Sequence, residues 1–238
     1  MNTEKEKVTL LSTWPSPYAM RPAIALELKG VVYELLEEVP ALPIKSELLL
    51  KSNPVYKKVP VLLHRGNSIS ESLIILEYID EIWASSGPSL VPTDPFDRAM
   101  ARFWAVYIDD KWFPALFGFM QVQTENAKQE VVEKILEQLL LLQEAFQSCS
   151  KGKGFFSGDK IGYLDIVFGS YMSWLKAIEI LACTKFLDEE KTPLLKAWTE
   201  SFLSDTVVKK VVPEIDKCVE YGKVVQAKFR ASSASTDN

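Results

Sequence analysis

Apolar residues follow two rhythms along this 238-residue chain, and the change of rhythm divides it. In about the first third, short apolar runs alternate with helix-spaced stretches. Residues 8–11, Val-Thr-Leu-Leu, read as a buried strand. Residues 17–29 follow as a helix with Ile24, Ala25 and Leu28 on one face and Gly30 as the stop signal. Residues 33–39 read as a second strand, 45–51 as a short helix and 59–63 as a third strand. The turn His64-Arg65-Gly66-Asn67 feeds a fourth strand at 68–70. Ser72 opens a helix through Leu73, Ile75, Leu76 and Ile79 that ends before Gly87-Pro88. The order is βαβαββα.

The segment 85–95 holds three prolines, a glycine and serines, which marks a linker. Beyond it every apolar pattern is helical: 97–121, 125–148, 161–181, 194–203 and 207–229. The expectation is an α+β chain of two domains, an α/β unit at 7–86 and an all-helical unit at 95–229, joined by a linker at 87–94. The small, polar end at 230–238 reads as a disordered tail.

Composition narrows the function classes. The chain has 27 basic and 32 acidic residues, scattered rather than blocked, and a net charge of −5. Neither a nucleic-acid partner nor a membrane surface fits that balance. Cys149, Cys183 and Cys218 are odd in number and widely spaced, so no disulfide framework is expected. One histidine, His64, gives no metal-ligand cluster. The N-terminal apolar run, Val8 to Leu11, is too short for a signal peptide or a membrane span, so a cytosolic location is expected.

Four features of the first unit carry chemistry. Ser16, in Trp14-Pro15-Ser16-Pro17-Tyr18, suits a helix N-cap, with Pro17 at the first helical position. It reads equally as a plain cap or as a hydroxyl donor to an anion, because a helix N-terminus favours negative charge and eases loss of a thiol proton. In Lys58-Val59-Pro60 the proline is an ordinary edge-strand proline or follows a cis bond that turns the Val59 backbone outwards to pair with an extended peptide. Ser72 as an N-cap, with Glu71 beside it, forms either a capped helix or a clamp for the carboxylate and ammonium of one amino acid. Lys45 can meet a second carboxylate or stand as a surface lysine. Glutathione presents the groups that match all four.

The chain resembles the plant tau-class glutathione S-transferases. The likeness is carried by Ser16-Pro17-Tyr18, by 45–50, by 53–62 from Asn-Pro-Val-Tyr to Val-Pro-Val-Leu, and by 71–83 from Glu-Ser-Leu to Glu-Ile-Trp. It continues in Ala101-Arg102-Phe103-Trp104-Ala105 and Gly158-Asp159-Lys160-Ile161-Gly162-Tyr163-Leu164-Asp165-Ile166. The resemblance implies a thioredoxin-like N-terminal domain, an all-helical C-terminal domain and a cytosolic homodimer. It places Ser16 at the catalytic serine and Lys45, Lys58, Val59, Glu71 and Ser72 at glutathione contacts. Gly162 and Asp165 fall on a capping box of a core helix. Tyr56 and Ile44 depart from common family residues, the loop 40–43 is slightly longer, and Pro22 can kink the first helix. These departures bear on the fine shape of the glutathione edge.

The implied reaction is attack by the glutathione thiolate on an electrophilic carbon, with glutathione as co-substrate and no other cofactor. Trp14, Tyr18, Trp112, Leu116, Phe119 and Trp174 are the candidates for a hydrophobic electrophile site, each weighed against simple core packing. Pro114 and Gly118 are expected to bend the helix that carries three of them. A carrier of apolar ligands such as flavonoids or hormones is the alternative function, and peroxidase activity is compatible with a thiolate. A thiol reductase normally needs cysteine at position 16, so serine there argues against it.

Overall fold

The computed structural model describes residues 7–39 and 45–234. Four strands form one mixed sheet in the order β2-β1-β3-β4. They are β1 (Val8–Ser12), β2 (Glu34–Glu37), β3 (Val61–His64) and β4 (Asn67–Ser70). β1 pairs parallel with β2 and antiparallel with β3, and β3 pairs antiparallel with β4. Three helices belong to this half: α1 (Pro17–Leu28), α2 (Glu47–Ser52) and α3 (Ser72–Ile82). The βαβαββα order and mixed sheet are those of the thioredoxin-like fold that the sequence predicts. α1 continues unbroken past Pro22 to Leu28. Ile44, the loop 40–43 and the last four residues lie outside the described residues.

The linker is pinned rather than loose. Asp80 accepts from the Leu90 and Val91 N–H groups at 2.9 and 3.0 Å and pairs with the buried Lys29 at 2.7 Å. After it, every regular element is helical among the described residues: α4 (Pro95–Tyr107), α5 (Phe113–Gly118), α6 (Glu125–Ser150), α7 (Tyr163–Gly169), α8 (Met172–Ala182), α9 (Pro193–Ser204), α10 (Val208–Val211) and α11 (Ile215–Ala234).

Three of the expected helices are divided. The stretch expected at 97–121 is interrupted by a π-helical turn, Ile108–Trp112, directly before Phe113-Pro114. Pro114 lacks an N–H to donate to the preceding turn, which explains a change of pitch there. The stretch at 161–181 breaks between α7 and α8 at Ser170-Tyr171. The stretch at 207–229 breaks before α11 at Val212-Pro213. α11 runs on to Ala234, beyond the end that apolar spacing predicts, so residues 230–234 are helix rather than tail.

The core ignores the division into halves. One continuous apolar cluster runs from Leu10, Ile24 and Leu76 beneath the sheet to Trp112, Phe168 and Trp198 among the helices. A second, small cluster of Leu11, Leu49 and Val61 seals the other face of the sheet under α2. Because helices of the second half pack directly on α1, loops at one end of the sheet face helical side chains.

Asp165 is buried at the centre of the helical half. Its Oδ1 accepts from the Phe156 N–H and Trp198 Nε1, both at 2.8 Å. Its Oδ2 accepts from the Ser157 and Gly162 N–H groups, both at 3.1 Å. The bond to Gly162 is the capping contact expected from the sequence. The other three tie the loop before α7 and the helix α9 to the same carboxylate.

Candidate functional site

Strand register gathers the expected site residues. Leu11 of β1 stands opposite Val61 of β3, which stands opposite Ser70 of β4. The chain therefore leaves β1 towards Ser16, enters β3 from Val59-Pro60 and leaves β4 towards Glu71-Ser72, all at one end of the sheet. α2 and Lys45 precede Val59 on the same side, since α2 packs on β3 through Leu49 and Val61.

Ser16 caps α1. Its backbone is extended (φ −87°, ψ 112°) and its Oγ accepts from the Ala19 N–H at 3.3 Å. The cap bond uses an oxygen lone pair, so the hydroxyl hydrogen stays available to a second group. Ser16 is half-buried, and its N–H is held by the Thr13 carbonyl at 3.1 Å. Both readings of this residue hold together: the cap fixes the hydroxyl where a donor to an anion is needed.

The Val59–Pro60 bond is cis. Val59 is half-buried and Lys58 exposed. Asn53 Nδ2 donates to the Lys58 carbonyl at 2.9 Å, while its Oδ1 accepts from the Tyr56 N–H at 3.1 Å. Tyr56 is exposed. Lys45 Nζ donates to the Lys57 carbonyl, which joins the α2 entry to the segment before Pro60. Ser46 caps α2 by accepting from the Leu49 N–H at 3.1 Å.

The β4–α3 corner differs from the expectation. Glu71, not Ser72, occupies the cap position, with φ 72° and no side-chain capping bond. A non-glycine residue in that region is uncommon and is held here by its surroundings. Ser72 is the first helical residue, and its Oγ accepts from Arg21 Nη1 at 3.0 Å. Its side chain is committed to a partner rather than to the helix end.

Arg21 is the residue that sequence reasoning missed. It is fully buried, yet its guanidinium bonds Asp109 twice, Nη2 to Oδ1 at 2.5 Å and Nη1 to Oδ2 at 2.9 Å. It also donates to Ser72 Oγ, the Val167 carbonyl, Tyr171 Oη and Ser170 Oγ. Tyr171 in turn donates to Asp109 Oδ1 at 2.9 Å. Burial works against the charge on Arg21, but Tyr171 and Asp109 outweigh it and hold the guanidinium pKa above its usual range. Burial raises the Tyr171 pKa and, less completely, that of Tyr18, so both phenols stay neutral. The one signal in the sequence was a lone cation inside the apolar run from Met20 to Leu26.

The aromatic candidates separate into two groups. Trp112, Leu116 and Phe119 are 0, 0 and 3% exposed, so of the two readings weighed for them, acceptor site and core packing, their burial favours the second. Trp112 meets Phe168 and Tyr171 edge-on at 4.9 and 5.6 Å. Tyr18 is half-buried between Phe113 and Tyr171 and lies over the Arg21 guanidinium. Trp14 and Trp174 flank the serine turn. Trp174 Nε1 donates to the Pro15 carbonyl at 2.9 Å, and both indoles meet Tyr221 of α11, at 5.2 and 6.1 Å. Tyr221 joins this group only through the tertiary fold.

No group of His, Cys, Asp and Glu among the described residues is arranged to hold a metal ion. Cys149, Cys183 and Cys218 carry free thiols.

The chain matches two family models: "Glutathione S-transferase, N-terminal domain" over residues 6–81 and "Glutathione S-transferase, C-terminal domain" over residues 97–205. It is 54% identical to Glutathione S-transferase U17 of Arabidopsis thaliana over 224 residues, covering 94% of this chain and 98% of that protein. With Glutathione S-transferase U16 of the same plant the identity is 54% over 233 residues, 98% of each chain. Among solved structures, a tau-class glutathione S-transferase from mango, Mangifera indica, superposes with a TM-score of 0.88 at 53% identity, covering 93% of this chain and 99% of that one. A rice glutathione transferase solved in complex with glutathione has a TM-score of 0.86 at 32% identity, covering 94% and 98%.

Proposed function

Since this chain belongs to the tau class of the glutathione S-transferase family, we propose that it joins the glutathione thiolate to hydrophobic electrophiles, with the Ser16 hydroxyl holding the sulfur anion. The chain is a glutathione transferase. The observation that carries the residue-level reading is the Ser16 cap, where an accepting oxygen leaves its hydrogen free at the positive end of a 12-residue helix. Lys45, Lys58, Val59, Glu71 and Ser72 are proposed as the glutathione contacts. The strand register supports that set by bringing their segments to one end of the sheet. Residues 7–86 then serve as the glutathione domain, and 95–229 contribute to the apolar wall.

The energetic demand is modest. Moving a thiol pKa from about 8.5 to about 7 corresponds to about 2 kcal/mol. A hydrogen bond to a charged group contributes about 1.5–3 kcal/mol and a helix N-terminus about 0.3–1 kcal/mol. Sulfur attacks the electrophilic carbon, the C–S bond forms and the leaving group departs with its electron pair. Ser16 donates throughout and forms no covalent bond. The same thiolate can attack an organic hydroperoxide, which supports a peroxidase side activity.

Ser16→Ala is expected to lower kcat/KM for conjugation of a chlorinated nitroaromatic by about 30- to 100-fold and to move its pH profile to higher pH. Loss of the cap costs about 1 kcal/mol of stability, so the variant stays folded and can be assayed. Turnover within about twofold of the native chain, at unchanged pH profile, would remove Ser16 from the mechanism.

The acceptor wall is proposed to consist of Trp14, Tyr18, Trp174 and Tyr221. Carriage of apolar ligands on that wall is the second reading, favoured by its aromatic character.

Homodimerisation is supported by the face of α3 and α4. Ile74, Phe103 and Val106 are more than half exposed there, around the pair Arg102–Glu77 at 2.5 Å. Exposed apolar residues clustered on one face mark an association surface. Sedimentation equilibrium is expected to give twice the 26.9 kDa chain mass. Ile74→Glu combined with Val106→Glu is expected to give the single-chain mass, and an unchanged dimer in that variant would refute this face. No described helix is long and apolar enough to cross a membrane, and a cytosolic location is proposed.

A further inference from the structure

We propose that Lys217 makes this enzyme favour electrophiles that carry a negative charge, by presenting its ammonium at the wall of the acceptor site. The inference rests on the transferase reading above. Trp14 stands two residues before Ser16, and its ring receives two groups from α11. Tyr221 meets it edge-on at 5.2 Å, and Lys217 Nζ lies 4.0 Å from its centroid. Residues four apart on a helix share a face, so one face of α11 delivers both an aromatic ring and a cation to this indole.

The position of α11 is fixed by close packing. A Cβ at Gly222 would stand 2.9 Å from Leu181 Cδ1 and 3.0 Å from Met120 Cε, so the backbone lies directly against its neighbours there. The serine turn is anchored from the same side by Trp174 Nε1 on the Pro15 carbonyl. Lys217, Trp14 and the Ser16 turn are therefore held together by packed elements rather than by a mobile tip.

Charge accounting separates Lys217 from its neighbours. Lys223 pairs with Glu220 at 2.6 Å, Lys210 with Glu27 at 3.0 Å and Lys176 with Glu179 at 2.9 Å. Among the described residues no carboxylate stands at ion-pair distance from Lys217, whose described partner is the Trp14 ring. Four acidic groups are near in the fold or the chain. Glu37 accepts from the Trp14 backbone N–H at 3.2 Å, Asp216 adjoins Lys217 in sequence, and Glu214 and Glu220 stand three residues to either side, Glu220 being paired with Lys223. An ammonium lying on an indole face keeps N–H donors for another group, because the ring is not a lone-pair acceptor. A carboxylate on an electrophile approaching over Trp14 would take those donors, whereas a neutral electrophile gains only aromatic contact.

The test uses two electrophiles that differ only in charge, 4-chloro-3,5-dinitrobenzoate and its methyl ester. In both, the glutathione sulfur attacks the chlorine-bearing carbon and chloride leaves with the bonding pair. The native enzyme is expected to prefer the acid, relative to the two uncatalysed rates, and to lose that preference as salt is raised. Lys217→Met is expected to lower the acid-to-ester ratio of kcat/KM by about 3- to 10-fold, with Lys217→Arg keeping it and Lys217→Glu reversing it. An unchanged ratio in Lys217→Met overturns the proposal, as does an equal loss on both substrates, which would make Lys217 a packing partner of Trp14 only. No turnover of the ester by the native chain would instead strike the transferase reading on which the proposal rests.

Discussion

Arg21→Met is expected to lower the unfolding free energy by about 3–5 kcal/mol, because it leaves the Asp109 carboxylate without its cation in a largely desolvated place. The guanidinium also satisfies Ser72, Ser170, Tyr171 and the Val167 carbonyl, so several polar groups lose a partner together. Lysine can keep the charge but cannot reproduce the paired bonds to Asp109. Arg21→Lys should therefore fall between the native chain and Arg21→Met. The second consequence concerns binding. Ser72 is fixed by Arg21, so loosening it is expected to raise the glutathione KM by about tenfold in whatever fraction stays folded. Urea unfolding and steady-state kinetics measure the two effects separately. The double variant Arg21→Met, Asp109→Leu should regain part of the stability, since replacing both partners removes the stranded charge. A urea midpoint unchanged in Arg21→Met would show that the buried pair is not holding the two halves together.

Asp165→Ala is the other severe change. Four N–H donors converge on this carboxylate from the loop before α7, from the start of α7 and from Trp198 of α9. Removing it strands all four, and each buried unsatisfied group costs about 1–3 kcal/mol before relaxation and water entry reduce the sum. A loss of about 3–5 kcal/mol is expected, enough to leave little folded protein at 37 °C for a domain of ordinary stability.

The same residue imposes a pH dependence. Burial pushes the Asp165 pKa from the usual 3.8 up to about 6, against the pull of Gly162, Trp198, Phe156 and Ser157. The native state then binds more protons than the unfolded chain between those values. Its contribution to stability therefore falls as pH rises from about 4 to about 6 and is constant above. Above about pH 6 the carboxyl is ionised, and at neutral pH all four N–H groups donate to a carboxylate. Asp165→Asn should lack that slope, so the stability difference between native and variant should itself change between about pH 4 and about pH 6. A parallel pH dependence in both proteins would refute the assignment.

Local rules account for what could be read from the chain. The βαβαββα order follows from short apolar runs separated by helix-spaced stretches, and those periods belong to single elements. Ser16 before Pro17 and Gly162 three residues before Asp165 are caps, which are decided within one helical turn. The turn around Gly66-Asn67 sets the β3–β4 pairing in the same way. Where two distant segments decide, the sequence pattern misleads. Trp112, Leu116 and Phe119 share one helical face, but the finished fold buries all three, with Phe168 of α7 and Tyr171 edge-on to Trp112. The splits in three helices arise where Pro114 and Pro213 lack a donor and where the chain turns at Ser170-Tyr171 to pack on α1.

Ser72 illustrates the boundary between the two kinds of information. Its neighbours announce a helix start, which the chain obeys to within one residue. Its hydroxyl partner is 51 positions away in sequence. Asp109 and Tyr171 lie 88 and 150 positions from Arg21. No periodicity links such residues, because their meeting depends on how whole helices dock.

The sequence by itself determined the element order, the caps and the family, and with the family the transferase chemistry. Tertiary structure decided that one core runs through both halves and that Arg21 joins them. It also placed Trp14, Tyr221 and Lys217 beside the serine turn. The physical reason is range: backbone hydrogen bonding and capping act within a few residues, whereas burial and ion pairing depend on which surfaces the finished fold brings together.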